Sequence, residues 1–404
     1  MSHPDTTSEV GRLLRDAAPE ALGVLLRRGE CFADAEDAVQ DAVLVALDSW
    51  STRGVPDRPV GWMVRVAQRR LIDQHHRDTA RRRREALVAS WSSLPVEPEV
   101  SEDDSLALLF LCCHASLTPS AAIPLTLRAV GGLTTREIAD ALLLPEATIA
   151  QRISRAKASI SRSDEPFRSP APDLIDDRLP AVMQIIYLIF NEGHAATSGP
   201  TLSRTDLANE AIRLARQLHE RLPDQPETTG LLALLLLTDA RRPARVAPDG
   251  ELVPLDRQDR RLWSRPMIAE GLHLLTTALA HHAMGEYQLQ AAIAAVHDQA
   301  PSYDETNWIQ LRALYNQLLL RSDNPLIRLN RAIAVAHTDG LEAARNEIDA
   351  LGDVLAEYHR YHATVGYLHE LAGEQGASKR AYETAASLAT NEPERRYLEG
   401  KAGF

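Results

Sequence analysis

Thr148, Arg152 and Arg155 are spaced to share one face of a helix, with Lys157 close behind. An arginine fork can read a guanine edge in the major groove of B-form DNA, and a nearby lysine can neutralise phosphate. An ordinary basic amphipathic helix would look the same. Two elements must position these groups. Thr134 and Glu137 have the Ser/Thr-x-x-Glu spacing in which each side chain caps the other's amide, so a helix is expected to start there and run to about Leu142. Pro145 marks a second helical start, after which Ile149, Ile153, Ala156 and Ile160 recur as one apolar stripe. The pair reads as a helix-turn-helix. Leu144 stands where a capping Ser or Thr is commoner, which leaves the start of the second helix open by a residue.

Three other constellations invite an enzyme reading. Cys112, Cys113 and His114 are adjacent on a predicted helix, where neighbours point about 100° apart and cannot converge on one metal, so core packing is expected and no metal site. Phe190, Asn191, Glu192 and His194 end an apolar helix without a second cluster to complete a site; a helix-end and turn role, stacking the C-terminal part on the rest, is preferred. Asp249-Gly250 signals a tight turn, and the basic stretch Arg241 to Arg245 before it is read as facing an acidic surface. No catalytic residue and no cofactor are expected.

The 404 residues imply two or three domains, 45% hydrophobic and 25% charged. Three cysteines cannot frame a disulfide scaffold, and neither a signal peptide nor a membrane span is evident, so a cytoplasmic protein without membrane contact is expected. The apolar run Gly230 to Leu237 is short and reads as a buried helix. Net charge is −12, yet residues 51–90 carry ten arginines against four acids, and residues 128–162 six basic side chains against three acids. Residues 166–404 are acidic, with 24 basic and 32 acidic side chains. Two basic islands in front of an acidic appendage are the footprint of a two-point DNA binder.

Further helices precede the helix-turn-helix. From Asp34 to Trp50 the stripe Ala35, Val39, Ala42, Ala46 and Trp50 is helical, with Asp34, Asp37 and Asp41 on an acidic face unsuited to DNA. From Pro59 to Arg84 the stripe is Val60, Val64, Ala67 and Leu71, and Trp62, Arg65, Arg69, Asp73 and His76 fall on another face. Arg81 to Arg84 would add affinity for phosphate without reading sequence. No strand-like alternation of useful length appears, so the chain is read as all-α.

An acidic docking helix, a Trp-bearing basic helix, a linker and a helix-turn-helix, in that order, resemble regions 2 and 4 of sigma factors of the extracytoplasmic-function (ECF) group of the sigma-70 family. The residues that carry this are Asp-Ala-Glu-Asp-Ala-Val-Gln-Asp-Ala-Val (34–43), Gly-Trp-Met-Val-Arg-Val-Ala-Gln-Arg-Arg-Leu-Ile-Asp (61–73) and the segment 133–160. Tyr-Leu-Ile-Phe-Asn-Glu-Gly-His-Ala-Ala (187–196), Asp-Ala-Arg-Arg (239–242) and Tyr-Gln-Leu-Gln-Ala-Ala-Ile-Ala-Ala-Val-His (287–297) resemble the subgroup with a C-terminal extension of tetratricopeptide-like repeats. Gly340, Ala344 and Ile348 have counterparts Gly373, Ala377 and Ala381, a shift of 33, with Tyr382 and Ala385 where such a repeat packs its second helix.

The resemblance implies region 2 over 8–88, a linker over 89–103, region 4 over 104–163, a linker over 164–173 and a helical extension over 174–404. It implies that Asp37, Gln40 and Asp41 dock on the clamp coiled coil of the polymerase beta-prime subunit, the core enzyme (beta-prime and beta) being the partner. Trp62, Arg65, Arg69, Arg70 and Asp73 would open the −10 element and hold its non-template strand; Trp62 is equally readable as core. Thr148, Gln151, Arg152 and Arg155 would approach base edges of the −35 element, with Lys157 nearer the backbone. The extension, net −8, would act in cis or bind a regulatory protein or polymerase over an extended concave surface. A stand-alone helix-turn-helix regulator with a repeat sensor domain, and an enzyme in the C-terminal half, are the alternatives.

Overall fold

A computed structural model of the protein describes residues 4–82, 103–114, 116–142, 144–162, 172–280 and 284–403. Every named element among them is helical; the only strand-like pairings are two isolated bridges, Gly199 with Asn391 and Val246 with Leu252. Both expected linkers fall almost wholly outside the described residues, as do Arg83 and Arg84 and the side chains of His76, Arg81 and Arg82. The chain divides into two compact units, Met1–Ile185 and Ile186–Phe404.

In the first unit α1 (Pro4–Arg27), α2 (Phe32–Arg53) and α3 (Pro59–Arg82) pack on one another. The expected stripe of α2 is the packed one: Ala35, Val39, Ala42, Ala46 and Trp50 are all buried. In α3 Val64, Ala67 and Leu71 are buried, whereas Val60, in the first turn, is only half-buried. A helix-turn-helix module follows, from α4 (Asp103–Cys112), α5 (Pro119–Ala129), α6 (Thr135–Leu142) and α7 (Glu146–Ser161). The capping box is closed in both directions: Thr134 N donates to Glu137 Oε2 at 2.7 Å and Glu137 N to Thr134 Oγ1 at 3.2 Å. Ile149, Ile153, Ala156 and Ile160 are buried against α5 and α6. The N-cap of α7 is Pro145, with no side-chain hydrogen bond, so Glu146 in the first turn is left to complement the helix dipole. Cys112 and Cys113 are buried, their thiols pushed up by desolvation, Cys113 to about 12.

In the second unit, which begins within α8 (Pro172–His194), α10 (Pro226–Asp239) is buried on every side from Thr228 to Leu237, because α9 (Thr205–Arg221), α11 (Arg265–Leu279) and α12 (Glu286–Gln299) surround it. That is the short apolar run of the sequence, and each fully buried leucine in it contributes about 2 kcal/mol. Gly230 permits the crossing: a Cβ there would lie 2.9 Å from the backbone nitrogen of Gln288 on α12. Helical hairpins follow: α13 (Trp308–Leu319) with α14 (Pro325–Thr338), α14 with α15 (Leu341–Asp349), and, after the short α16 (Gly352–Leu355), α17 (His359–Leu371) with α18 (Gln375–Leu388) and α18 with α19 (Glu392–Ala402). The packed counterparts of Ala344 and Ile348 are Ser378 and Tyr382, an offset of 34, one more than the glycine pair suggests. Ala377 and Ala381 are only half-buried.

The helical array is not open-ended. The turn before α19 returns to the loop after α8: Asn391 Nδ2 donates to the carbonyls of Ala196 (3.1 Å) and Thr201 (2.9 Å), Thr390 Oγ1 to Thr197 O (2.6 Å) and Glu392 N to Gly199 O (3.0 Å).

Candidate nucleic-acid interface

α2 turns one face outward. Asp37 and Asp41 are exposed on it, and so are two leucines, Leu44 at 60% and Leu47 at 38%. Gln40, expected beside them, is buried. Arg70 of α3 lies 3.8 Å from Asp41, a pair about half exposed on each side and therefore weak. Arg65, Arg69, Arg70 and Asp73 line the free side of α3, with Ile72 exposed among them. Trp62 is half-buried, its ring edge-on to Trp50 at 5.4 Å between centroids. That contact gives the ring a packing role and leaves part of it accessible.

On α7, Gln151 and Arg155 are exposed and Thr148 and Arg152 half-exposed, so the expected reading face is outward. Lys157 is not on it. Its ammonium is buried between two carboxylates of α2, 2.6 Å from Glu36 Oε2 and 2.6 Å from Asp37 Oδ1. The expectation that it lies free near a DNA backbone does not describe this arrangement, because α2 rather than solvent covers that edge of α7. Arg128 of α5 completes the cluster: its Nε donates to the other oxygen of Glu36, and its Nη1 to Thr135. Glu36 is 1% exposed. Glu36 and Arg128 escape a reading based on charged rows; the available signal was that Glu36 falls on the same side of α2 as the buried Val39 and Val43.

The motif at the end of α8 is structural in its geometry. Phe190 is buried and stacks on His194, ring centroids 5.4 Å apart. Asn191 is hydrogen-bonded to Tyr187. Glu192 accepts from Thr197, backbone N at 3.1 Å and hydroxyl at 2.5 Å. Gly193 lets α9 cross close by; a Cβ on it would sit 2.2 Å from Ala208 N. His194 is held neutral, burial lowering its pKa to about 4 beside Asp239.

The stretch Arg241 to Arg245 turns inward rather than toward an acidic surface. Arg241 pairs with the buried Asp298 at 3.4 Å, Arg242 with the buried Asp239 at 3.0 Å, and Arg245 donates to the His194 carbonyl. Gly250, at φ 85°, makes the expected tight turn, its N–H donating to Ala247 O at 2.9 Å. Among the described residues no three His, Cys, Asp or Glu side chains are grouped to hold a metal ion, and no helix is long and apolar enough to cross a membrane.

A sigma-70 region 2 family model matches residues 13–82, that is α1 to α3, and a sigma-70 region 4 model matches residues 107–160, the helix-turn-helix module. The chain belongs to the sigma-70 family. The two modules therefore carry the polymerase-binding and promoter-binding functions of a sigma factor. A family of unknown function (DUF6596) matches residues 178–279 of the extension. An uncharacterized protein of Rhizobium meliloti (strain 1021) is 40% identical over 405 residues, covering 97% of this chain and 95% of its own length, so regions 2 and 4 and the extension form one shared arrangement. No solved structure matches the chain.

Proposed function

We propose that the protein is an ECF-type alternative sigma factor whose own C-terminal helices regulate it, with no covalent chemistry of its own. The observation that carries this reading is the division of exposed charge between consecutive helices of region 2. Acids and two leucines stand out on α2, and arginines stand out on α3. An acidic row with apolar residues beside it suits a basic coiled coil, which is why α2 is assigned to the beta-prime clamp through Asp37 and Asp41. The α3 row suits a melted −10 strand, whose phosphates meet Arg65, Arg69 and Arg70 while the accessible part of Trp62 is placed to stack on a base. On α7 the outward Gln151, Arg152 and Arg155 suit base edges of the −35 element. The helical hairpins of the extension, offset by 34 residues, support a tetratricopeptide-like reading, and the buried Gly193 with the half-buried Glu192 and His194 serve its folding.

Adding the protein to purified core polymerase with genomic DNA tests the reading: promoter-specific transcripts are expected, and the pair Asp37→Lys, Asp41→Lys should prevent holoenzyme assembly. A double variant that still co-elutes with core enzyme at wild-type affinity removes the docking assignment. Transcripts no different from those of core enzyme alone remove the sigma-factor reading.

A further inference from the structure

Region 4 lies on region 2 through ions. Lys157 from α7 and Arg128 from α5 enclose Glu36 of α2, and Lys157 reaches Asp37 as well. α4 and α5 lie against α1. Asp37 belongs to the acidic row of α2 that is assigned to polymerase, and the buried Glu36 next to it holds the same lysine. Resting on that reading, we propose that this contact is an autoinhibitory clasp: region 4 occupies Asp37, a carboxylate that α2 offers to the clamp coiled coil, and the factor is silent until region 4 lets go.

Two physical arguments carry it. The first is competition. Asp37 Oδ1 accepts from Lys157, which the buried Glu36 holds in place with Arg128 on its other oxygen, so a basic coiled coil can take over that oxygen of Asp37 only after Lys157 leaves. The contact is made of charged groups that are soluble when parted, so it can exchange one basic partner for another without exposing an oily face at that point.

The second is reach. Elements named −10 and −35 stand about 25 base pairs apart, on the order of 80 Å along B-form DNA. A module the size of region 2 has a radius of gyration of about 11 Å, so two modules in contact cannot cover both elements. Opening is required, and the 20 residues from 83 to 102 permit it, since a chain of that length extends to about 70 Å before the modules add their own width.

The fold supplies its own lock for a test. Cys31 at the start of α2 is exposed, its Sγ 3.8 Å from Ser161 Oγ at the end of α7, while Cys112 and Cys113 are buried. In full-length Ser161→Cys, oxidation should join the two positions and hold the clasp shut. With core polymerase and promoter DNA, the reduced protein should transcribe and the oxidised protein should lose at least tenfold, recovering on reduction. The pair Cys31→Ser, Ser161→Cys, which cannot close this lock, should transcribe in both states. Oxidised, cross-linked protein that transcribes at the reduced rate overturns the clasp, as does failure of the two positions to cross-link at all. Reduced protein that never directs transcription overturns the sigma-factor reading instead. Separately, Lys157→Met should raise affinity for core enzyme severalfold; weaker DNA binding with unchanged core affinity would mean that Lys157 serves phosphate and not the clasp.

Discussion

The two units treat charge in opposite ways. In the first, helices with one apolar stripe turn their acids and arginines outward: Asp41 on α2, Arg65 and Arg69 on α3 and Arg155 on α7 are all exposed. The exception is the Glu36 cluster, which one module forms with another. In the second, the dense basic stretch lies in a turn after the buried α10, and its ions point in: Asp239 and Asp298 are buried, paired to Arg242 and Arg241, and His194 and His297 are kept neutral by desolvation. Charge on a stripe-bearing helix is available to a partner. Charge in a turn beside a wholly apolar helix is consumed by the fold, because the buried carboxylates of α10 and α12 would otherwise stand without a counter-charge.

Acid should separate the units most. His194 protonates only near pH 4 and His297 near pH 3 when folded, against about 6.5 when unfolded, so as pH falls from 6.5 the unfolded state takes up protons first and stability is lost. Asp298, raised to about 6 by burial, opposes this, since the folded state holds its proton more tightly as pH falls through 6. Two large histidine shifts outweigh one carboxylate, and the second unit should lose a few kcal/mol by pH 5 while the first melts nearly as at pH 7. Equal losses in hydrogen exchange across both units would break the comparison. Next comes Gly193→Ala, which forces α8 from α9 and should cost the second unit about 3 kcal/mol in denaturant while leaving the first unit's transition in place.

Arg155→Ala tests the opposite unit. Its charge is outward, so stability should hardly change, while binding to −35 DNA should fall by about 1 to 3 kcal/mol with preference relaxed at one position. Equal losses on cognate and scrambled DNA would refute base reading. The smallest effect is expected for Thr134→Ala, which opens one side of the capping box and should lower region 4 stability by about 1 kcal/mol in urea.

Legibility follows the same line. The stripes of α2, α3 and α7 were readable because period and burial agree, and the capping box because its two residues are three apart. Lys157 was misplaced because a helical wheel assigns a face but not what lies against it; its partner is 121 residues away. Arg241 to Arg245 read as facing an acidic surface because five residues of turn carry no period that would show them pointing inward. The glycines place the repeat one residue short because glycine, which marks the turn by its positive φ at Gly340 and Gly373, can shift against the helix that follows. The exposed leucines Leu44 and Leu47 escape a reading drawn to the conspicuous acidic row beside them.

The stitch of Asn391 to the carbonyls of Ala196 and Thr201 changes how the second unit can come apart. A linear array of helical hairpins frays from whichever end is free, losing one hairpin at a time. Here the last helices are fastened to the first loop, so neither end is free to fray and the unit should unfold as a single cooperative body once the fastening gives. Removal of residues 390–404 would then cost more than one hairpin's worth of protection, since it takes away Thr390, Asn391 and Glu392 and turns a closed circuit into an open chain. The same closure makes a new pair of termini elsewhere in the circuit tolerable.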